Sequence, residues 1–176
     1  MIPLYILGLL QRFGPQHGYQ LKKLIAEQLA DFTQIKLPTL YYHLEKMAKD
    51  GLIVGKSEKS DSRPAKTVYT ITDEGIAAFK AQLHTLLDFQ YRPTFESDGL
   101  LYFSDYMDET LIASQLATYI DTLSSTLHYL RHHRDETLTY VPESFSAMVT
   151  IIFSHHIHHY EAELNWARET QKTLTL

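Results

Sequence analysis

The amino-acid sequence predicts a mainly helical chain with one small β hairpin, built from short elements in its first half and two long helices in its second. Three observations predict it. All seven glycines lie at or before Gly99, and after Pro93 the only proline is Pro142. Beyond Glu109, apolar residues recur at helical spacing through two long runs separated by Pro142. Between them and the N-terminus, Thr67, Val68, Tyr69, Thr70, Ile71 and Thr72 have the β-branched and aromatic character of a strand.

The elements follow in order. At 176 residues, 44% of them hydrophobic and 21% charged, the chain can bury one good core or two small ones and is far from the composition of disordered segments. With no cysteines, it has no disulfides, no thiolate nucleophile and no cysteine-ligated zinc, which agrees with a reducing cytoplasm. The first helix, Pro3 to Phe13, begins in an apolar run too short to cross a bilayer and lacking a basic leader or a cleavage site. It is read as a buried helix ended by Gly14-Pro15, in a cytoplasmic chain without a membrane segment. A second helix, Tyr19 to Ala30, turns Leu21, Leu24, Ile25 and Leu29 inward and Lys22, Lys23 and Gln28 outward. A third opens at Pro38, closes at Asp50-Gly51, and has Leu40, Leu44 and Met47 as its inner stripe. Leu52-Ile53-Val54 and the strand at 67–72 then form a hairpin with a long polar tip, Lys56 to Lys66. Thr72-Asp73-Glu74-Gly75 caps a fourth helix running through Phe79, Leu83 and Leu86.

Beyond Glu109 the first long helix carries Ala113, Leu116, Ile120, Leu123, Leu127 and Leu130 at spacings of three and four. The second carries Phe145, Val149, Ile152, Phe153, Ile157, Tyr160, Leu164 and Ala167. Two such helices are expected to cover their stripes on each other and on a second copy, so Leu116 to Leu127 and Phe145 to Leu164 are the expected dimerisation residues. The domain division expected is 1–88, an aromatic connector 89–106, and a helical dimerisation region 107–176.

Three short helices, a hairpin and a further helix are the layout of a winged helix-turn-helix, whose third helix enters the major groove while the hairpin lies along the backbone. The overall charge of −5 hides an asymmetry: 11 basic against 8 acidic residues up to Lys80, then 5 against 13. On the outer face of the third helix stand Thr39, Tyr42, His43, Lys46 and Lys49, and the hairpin tip carries Lys56, Lys59, Arg63 and Lys66. Such side chains supply donors to base edges and phosphates. Either group alone is equally a solvated surface; their order along the chain is what favours double-stranded DNA as the partner.

The chain resembles the PadR family of transcriptional regulators. The resemblance lies in Phe13-Gly14-Pro15-Gln16-His17-Gly18-Tyr19-Gln20-Leu21, in Pro38-Thr39-Leu40-Tyr41-Tyr42-His43-Leu44-Glu45-Lys46-Met47, and in Asp50-Gly51-Leu52-Ile53. It continues in Arg63-Pro64-Ala65-Lys66 and Tyr69-Thr70-Ile71-Thr72-Asp73-Glu74-Gly75. It implies a homodimer that binds a pseudo-palindromic operator, usually as a repressor, and lets go when a small molecule binds. It also implies DNA contacts at Tyr19, Thr39, Tyr41, Tyr42, Arg63 and Lys66. Lys22 and Lys23, apart from the resemblance, read as a solvated face that looks toward the DNA backbone. Tyr41 is open between a phosphate contact and a half-buried packing role. Two departures stand out: Tyr42 where many members have proline, and Ser62 where many have glycine.

Two further constellations are legible. Phe89, Tyr91, Phe95, Tyr102, Phe103 and Tyr106, with Trp166, are dense enough in aromatics for an effector pocket at a domain junction, or for a hinge that merely joins the halves. Eight of the ten histidines lie beyond Lys80, and His128 with His132 and His155 with His159 have the i, i+4 spacing that shares a helical face. A metal- or pH-responsive sensor is therefore one alternative function, and a helical protein-interaction module another; no cofactor is expected. Enzyme chemistry lacks a motif: His155 is followed by His156 where a zincin helix needs glutamate, and Gly14 to Gly18 lacks the lysine of a phosphate loop.

Overall fold

The computed structural model describes residues 1–30, 33–60 and 63–174 in two compact units, Met1–Arg92 and Pro93–Leu176. The unit boundary thus falls inside the expected 89–106 connector. In the first unit, α1 (Ile2–Phe13) is buried along Leu4, Ile6, Leu7, Leu9 and Leu10, as its apolar run requires. A two-residue strand, β1 (Gln16–His17), leads into α2 (Gly18–Gln28), whose start is closed by a capping box. There His17 Nδ1 accepts from the Gln20 backbone N–H at 3.1 Å, while the His17 N–H donates to Gln20 Oε1 at 3.4 Å. Helix α3 (Leu37–Lys49) buries Leu40, Leu44 and Met47.

The end of α3 fixes where the hairpin begins. Gly51 has φ +75°, a left-handed conformation that a side chain would strain. With it, the Leu52 N–H donates to the Met47 carbonyl and the Gly51 N–H to that of Ala48, the two bonds of a Schellman cap. Strands β2 (Ile53–Ser60) and β3 (Arg63–Ile71) then pair antiparallel, with β1 on the other edge of β3 in a sheet of order β1-β3-β2. The hairpin differs from expectation here. Lys56 to Lys66 is not a long loop, because ladder pairing runs from Ile53↔Ile71 through Glu58↔Lys66 to Ser60↔Arg63. Backbone pairing tolerates polar side chains on a two-stranded arm that has no core to cover. Helix α4 (Asp73–Thr85) starts on Thr72, whose Oγ1 accepts from the Gly75 N–H and donates to the Gly51 carbonyl, tying the helix to the α3 cap. The core of this unit joins Ile6, Leu7, Leu10, Leu21, Ile25, Leu40, Leu44, Met47, Ile53 and Tyr69.

The second unit begins with a short helix that the sequence reading did not contain, α5 (Glu96–Tyr102). Two helices of 32 residues each follow, α6 (Glu109–Tyr140) and α7 (Glu143–Leu174), broken at Pro142 as expected. Helix α6 opens on Asp108, whose carboxylate accepts from the Thr110 backbone and hydroxyl at 2.8 and 2.7 Å. The pair is antiparallel: Tyr119 meets Glu163 near one end and His133 meets Phe153 near the other. Ile112, Leu116, Leu123, Leu127 and Leu130 are buried against Phe153, Ile157, Leu164 and Ala167. No helix among the described residues is long and apolar enough to cross a membrane.

Candidate nucleic-acid interface

Helix α3 and the hairpin hold most of the candidate DNA-contacting residues. The helical period that buries Leu40, Leu44 and Met47 leaves Tyr42 60% exposed and Lys46 and Lys49 exposed, with Thr39 and His43 half-buried beside them. His43 stands edge-on to Tyr42, ring centroids 5.2 Å apart, and its Nδ1 is buried without a hydrogen-bond partner among the described residues. Lys46 and Lys49 lie in the last turn of α3, where positive charge also complements the carbonyl end of the helix. At the start of α2, Tyr19 is 67% exposed and Lys22 is exposed. On the hairpin, Lys56 and Lys66 are exposed; Asp61, Ser62 and the side chains of Lys59 and Arg63 lie outside the described residues.

Tyr41 turns partly back into the protein. It is 40% exposed, and a Cβ built on Gly18 would fall 2.7 Å from its Cε1, so the ring lies against the glycine that opens α2. Tyr41 therefore serves the junction of α2 and α3 whatever else its hydroxyl touches. Sequence reasoning could not place that contact, since it depends on how closely two helices approach. Tyr69 is in the core, where burial, then the nearby Tyr41 and Glu45, push its phenol above the usual range.

The expected dimerisation residues divide. Leu116, Leu123, Leu127, Phe153, Ile157 and Leu164 are covered within the chain, where α6 meets α7, and Ile120, Val149 and Tyr160 are partly buried beside them. Phe145 and Ile152 are exposed, together with Met148 and Ile151, giving the first half of α7 an apolar outer stripe.

The aromatic residues separate as well. Residues 93–176 contain a groove of about 660 Å3, lined by Leu100, Leu101, Met107, Leu111, Ile112 and Leu116, and by Phe95 and Trp166. Phe89 and Tyr91 belong to the first unit and are exposed, while Tyr102, Phe103 and Tyr106 point to solvent from α5 and the turn after it. Of the five expected pocket aromatics in residues 93–176, Phe95 and Trp166 thus line the groove and the other three do not, because the helical period of α5 sends Leu100 and Leu101 to the groove and its tyrosine outward. Tyr119 Oη donates to Glu163 Oε1 at 3.0 Å at the same groove.

The histidines of α6 and α7 also take separate places. His155 and His159 bring their Nε2 atoms to 3.1 Å. His132 meets Glu136 at 3.3 Å, and His133 lies tilted against Tyr129 and edge-on to Phe153. His128 lines a smaller groove with Arg131, Arg168 and Glu161, in which Arg131 and Glu161 are paired at 2.6 Å. Among the described residues, no group of three or more His, Asp or Glu side chains could hold a metal ion.

Residues 6–81 match the model of the transcriptional regulator PadR-like family. The negative transcriptional regulator PadR of Bacillus subtilis (strain 168) is 33% identical over 82 residues, which cover 47% of this chain and 42% of that protein. The chain thus aligns with less than half the length of this relative. The fold is similar to that of Bacillus subtilis PadR in complex with operator DNA, with a TM-score of 0.79 and 18% identity over 98% of each chain. It is similar also to the same protein in complex with p-coumaric acid, with a TM-score of 0.76 and 19% identity over the whole of both chains.

Proposed function

We propose, from the match of residues 6–81 to the model of the PadR-like transcriptional regulator family, that the chain is a sequence-specific DNA-binding transcriptional regulator. It acts in the cytoplasm, catalyses no reaction, and binds a pseudo-palindromic operator as a homodimer that represses until a small ligand releases it. One observation carries the DNA reading. Helix α3 presents Tyr42, Lys46 and Lys49 on the face opposite its buried stripe, and the exposed Lys56 and Lys66 of the hairpin belong to the same unit. A helix of that width fits the major groove, and lysines flanking it neutralise phosphates. Overall acidity does not oppose this, since salt confines each charge's field to about 8–10 Å. Homodimerisation is supported by the exposed apolar stripe of Met148, Ile151 and Ile152.

The test is a salt titration of binding to duplex from the gene's own promoter region. Log K is expected to fall by about 0.9 for each phosphate neutralised, and to exceed the value for unrelated duplex at every salt concentration. Binding that ignores salt, or none, removes the DNA reading in favour of a protein-interaction module.

A further inference from the structure

The groove in residues 93–176 carries a charge pattern for which DNA binding has no use. Among the described residues, its walls hold two carboxylates, Glu96 and Glu163, and no lysine, arginine or histidine. They also hold three aromatic rings, Phe95, Tyr119 and Trp166, and the rest is mostly aliphatic. Glu163 is fixed in place by the hydrogen bond from Tyr119 Oη, at 3.0 Å. Burial first, and that bond second, hold the Tyr119 phenol protonated beyond its ordinary range, so it remains a donor to the carboxylate. A volume of about 660 Å3 suits a small organic molecule.

Hydrocarbon walls, fixed negative charge and ring faces select for one kind of ligand. Hydrocarbon burial drives binding, the carboxylates attract a positive centre, and aromatic faces stabilise one further, as in sites for quaternary ammonium groups. An organic acid would instead bring a third carboxylate into a groove that offers no cation to pair with it. We propose that the groove between α5, α6 and α7 binds a hydrophobic organic cation, such as an aromatic or quaternary amine. Glu163 and Glu96 hold its charge, and Phe95, Tyr119 and Trp166 hold its body. As the effector site of a regulator this rests on the function proposed above; as a binding site it does not.

Trp166 is the only tryptophan in the chain, so intrinsic fluorescence reports on this groove. The probes are tetraphenylphosphonium and tetraphenylborate, alike in shape and opposite in charge, titrated into the full chain at low salt. The phosphonium is expected to shift Trp166 emission and to bind at least about tenfold tighter than the borate. Glu163→Gln, which keeps an acceptor for Tyr119, should shrink that preference to about threefold or less without lowering the melting temperature. Where Glu163→Gln does not fold, Glu96→Gln at the exposed end of α5 serves the same comparison. Equal affinities, a preference for the borate, or an emission that neither probe moves would overturn the proposal. So would an emission that follows protein concentration and not probe, the sign of a second copy filling the groove. Duplex affinity measured in the same samples separates the two readings. Cation binding that leaves it unchanged removes the effector role and keeps the site, and a chain that binds the cation but no duplex removes the DNA reading alone.

Discussion

Tyr42 and Lys56 are both exposed in the first unit, and on the DNA-binding function proposed above the chemistry of their ends would give them different work. A phenol on the groove-facing side of a helix reads base edges, whereas an ammonium on a strand of the hairpin senses only phosphate. Tyr42→Ala is expected to cost about 1–3 kcal/mol on the operator and much less on unrelated duplex. Lys56→Ala should weaken both alike and lower the salt slope by about 1. Fluorescence anisotropy on the two duplexes at several salt concentrations checks both; equal losses for Tyr42→Ala would show that it touches phosphate only. These positions were legible in the sequence because phase within a helix needs only local periodicity. The seat of Tyr41 on Gly18 was not, and neither was the unpartnered Nδ1 of His43, because each depends on what another part of the chain brings near.

Among the elements, the long helices were the easiest to read, since a repeated apolar stripe over many turns has no competing period. Three features escaped. β1 is two residues long and exists only through its pairing with Tyr69 and Val68. α5 has no buried residue of its own to make a stripe. The polar arms of β2 and β3 are held by main-chain bonds that side-chain character does not announce. The Thr72 cap of α4, by contrast, was visible; that of α6 was not, and it titrates. Its Asp108 is held below the ordinary carboxylate range, chiefly by the Thr110 hydroxyl and then by the Thr110 backbone N–H. A carboxyl lowered in the folded state stabilises above its unfolded value, 3.8, and loses that contribution as pH falls through its folded value. Asp108→Asn keeps a capping oxygen without a titrating group. The variant should therefore melt close to wild type at pH 7 and lose less than wild type on acidification to pH 3, as thermal circular dichroism would measure. An acid limb identical in both proteins would show that Asp108 does not contribute to it.

At the scale of the whole molecule, the two units differ in what they can cover alone. Residues 1–92 close a core on themselves through α1, whose burial was foreshadowed by an apolar run with hardly a polar face. Residues 93–176 have one shared face between α6 and α7, and the stripe at Met148, Ile151 and Ile152 is left outside it. The sequence announced an excess of apolar seam but not its location, since six of the residues expected between two chains are taken up within one. On the homodimer reading, Met148→Asp with Ile152→Asp should raise the dimer Kd at least about 100-fold, because association would bury unpaired carboxylates. Sedimentation equilibrium would detect it, and a dimer of unchanged strength would place the interface elsewhere. On the same homodimer reading, that exposed stripe also makes the abundance of the protein a variable of its own function. Where monomers must meet before they grip a two-fold site, operator occupancy rises with the square of monomer concentration at low dose, and the melting temperature climbs with concentration as well. Halving expression would then remove about three-quarters of the dimer in that regime, so the regulator's response to its own gene dosage would be steeper than proportional.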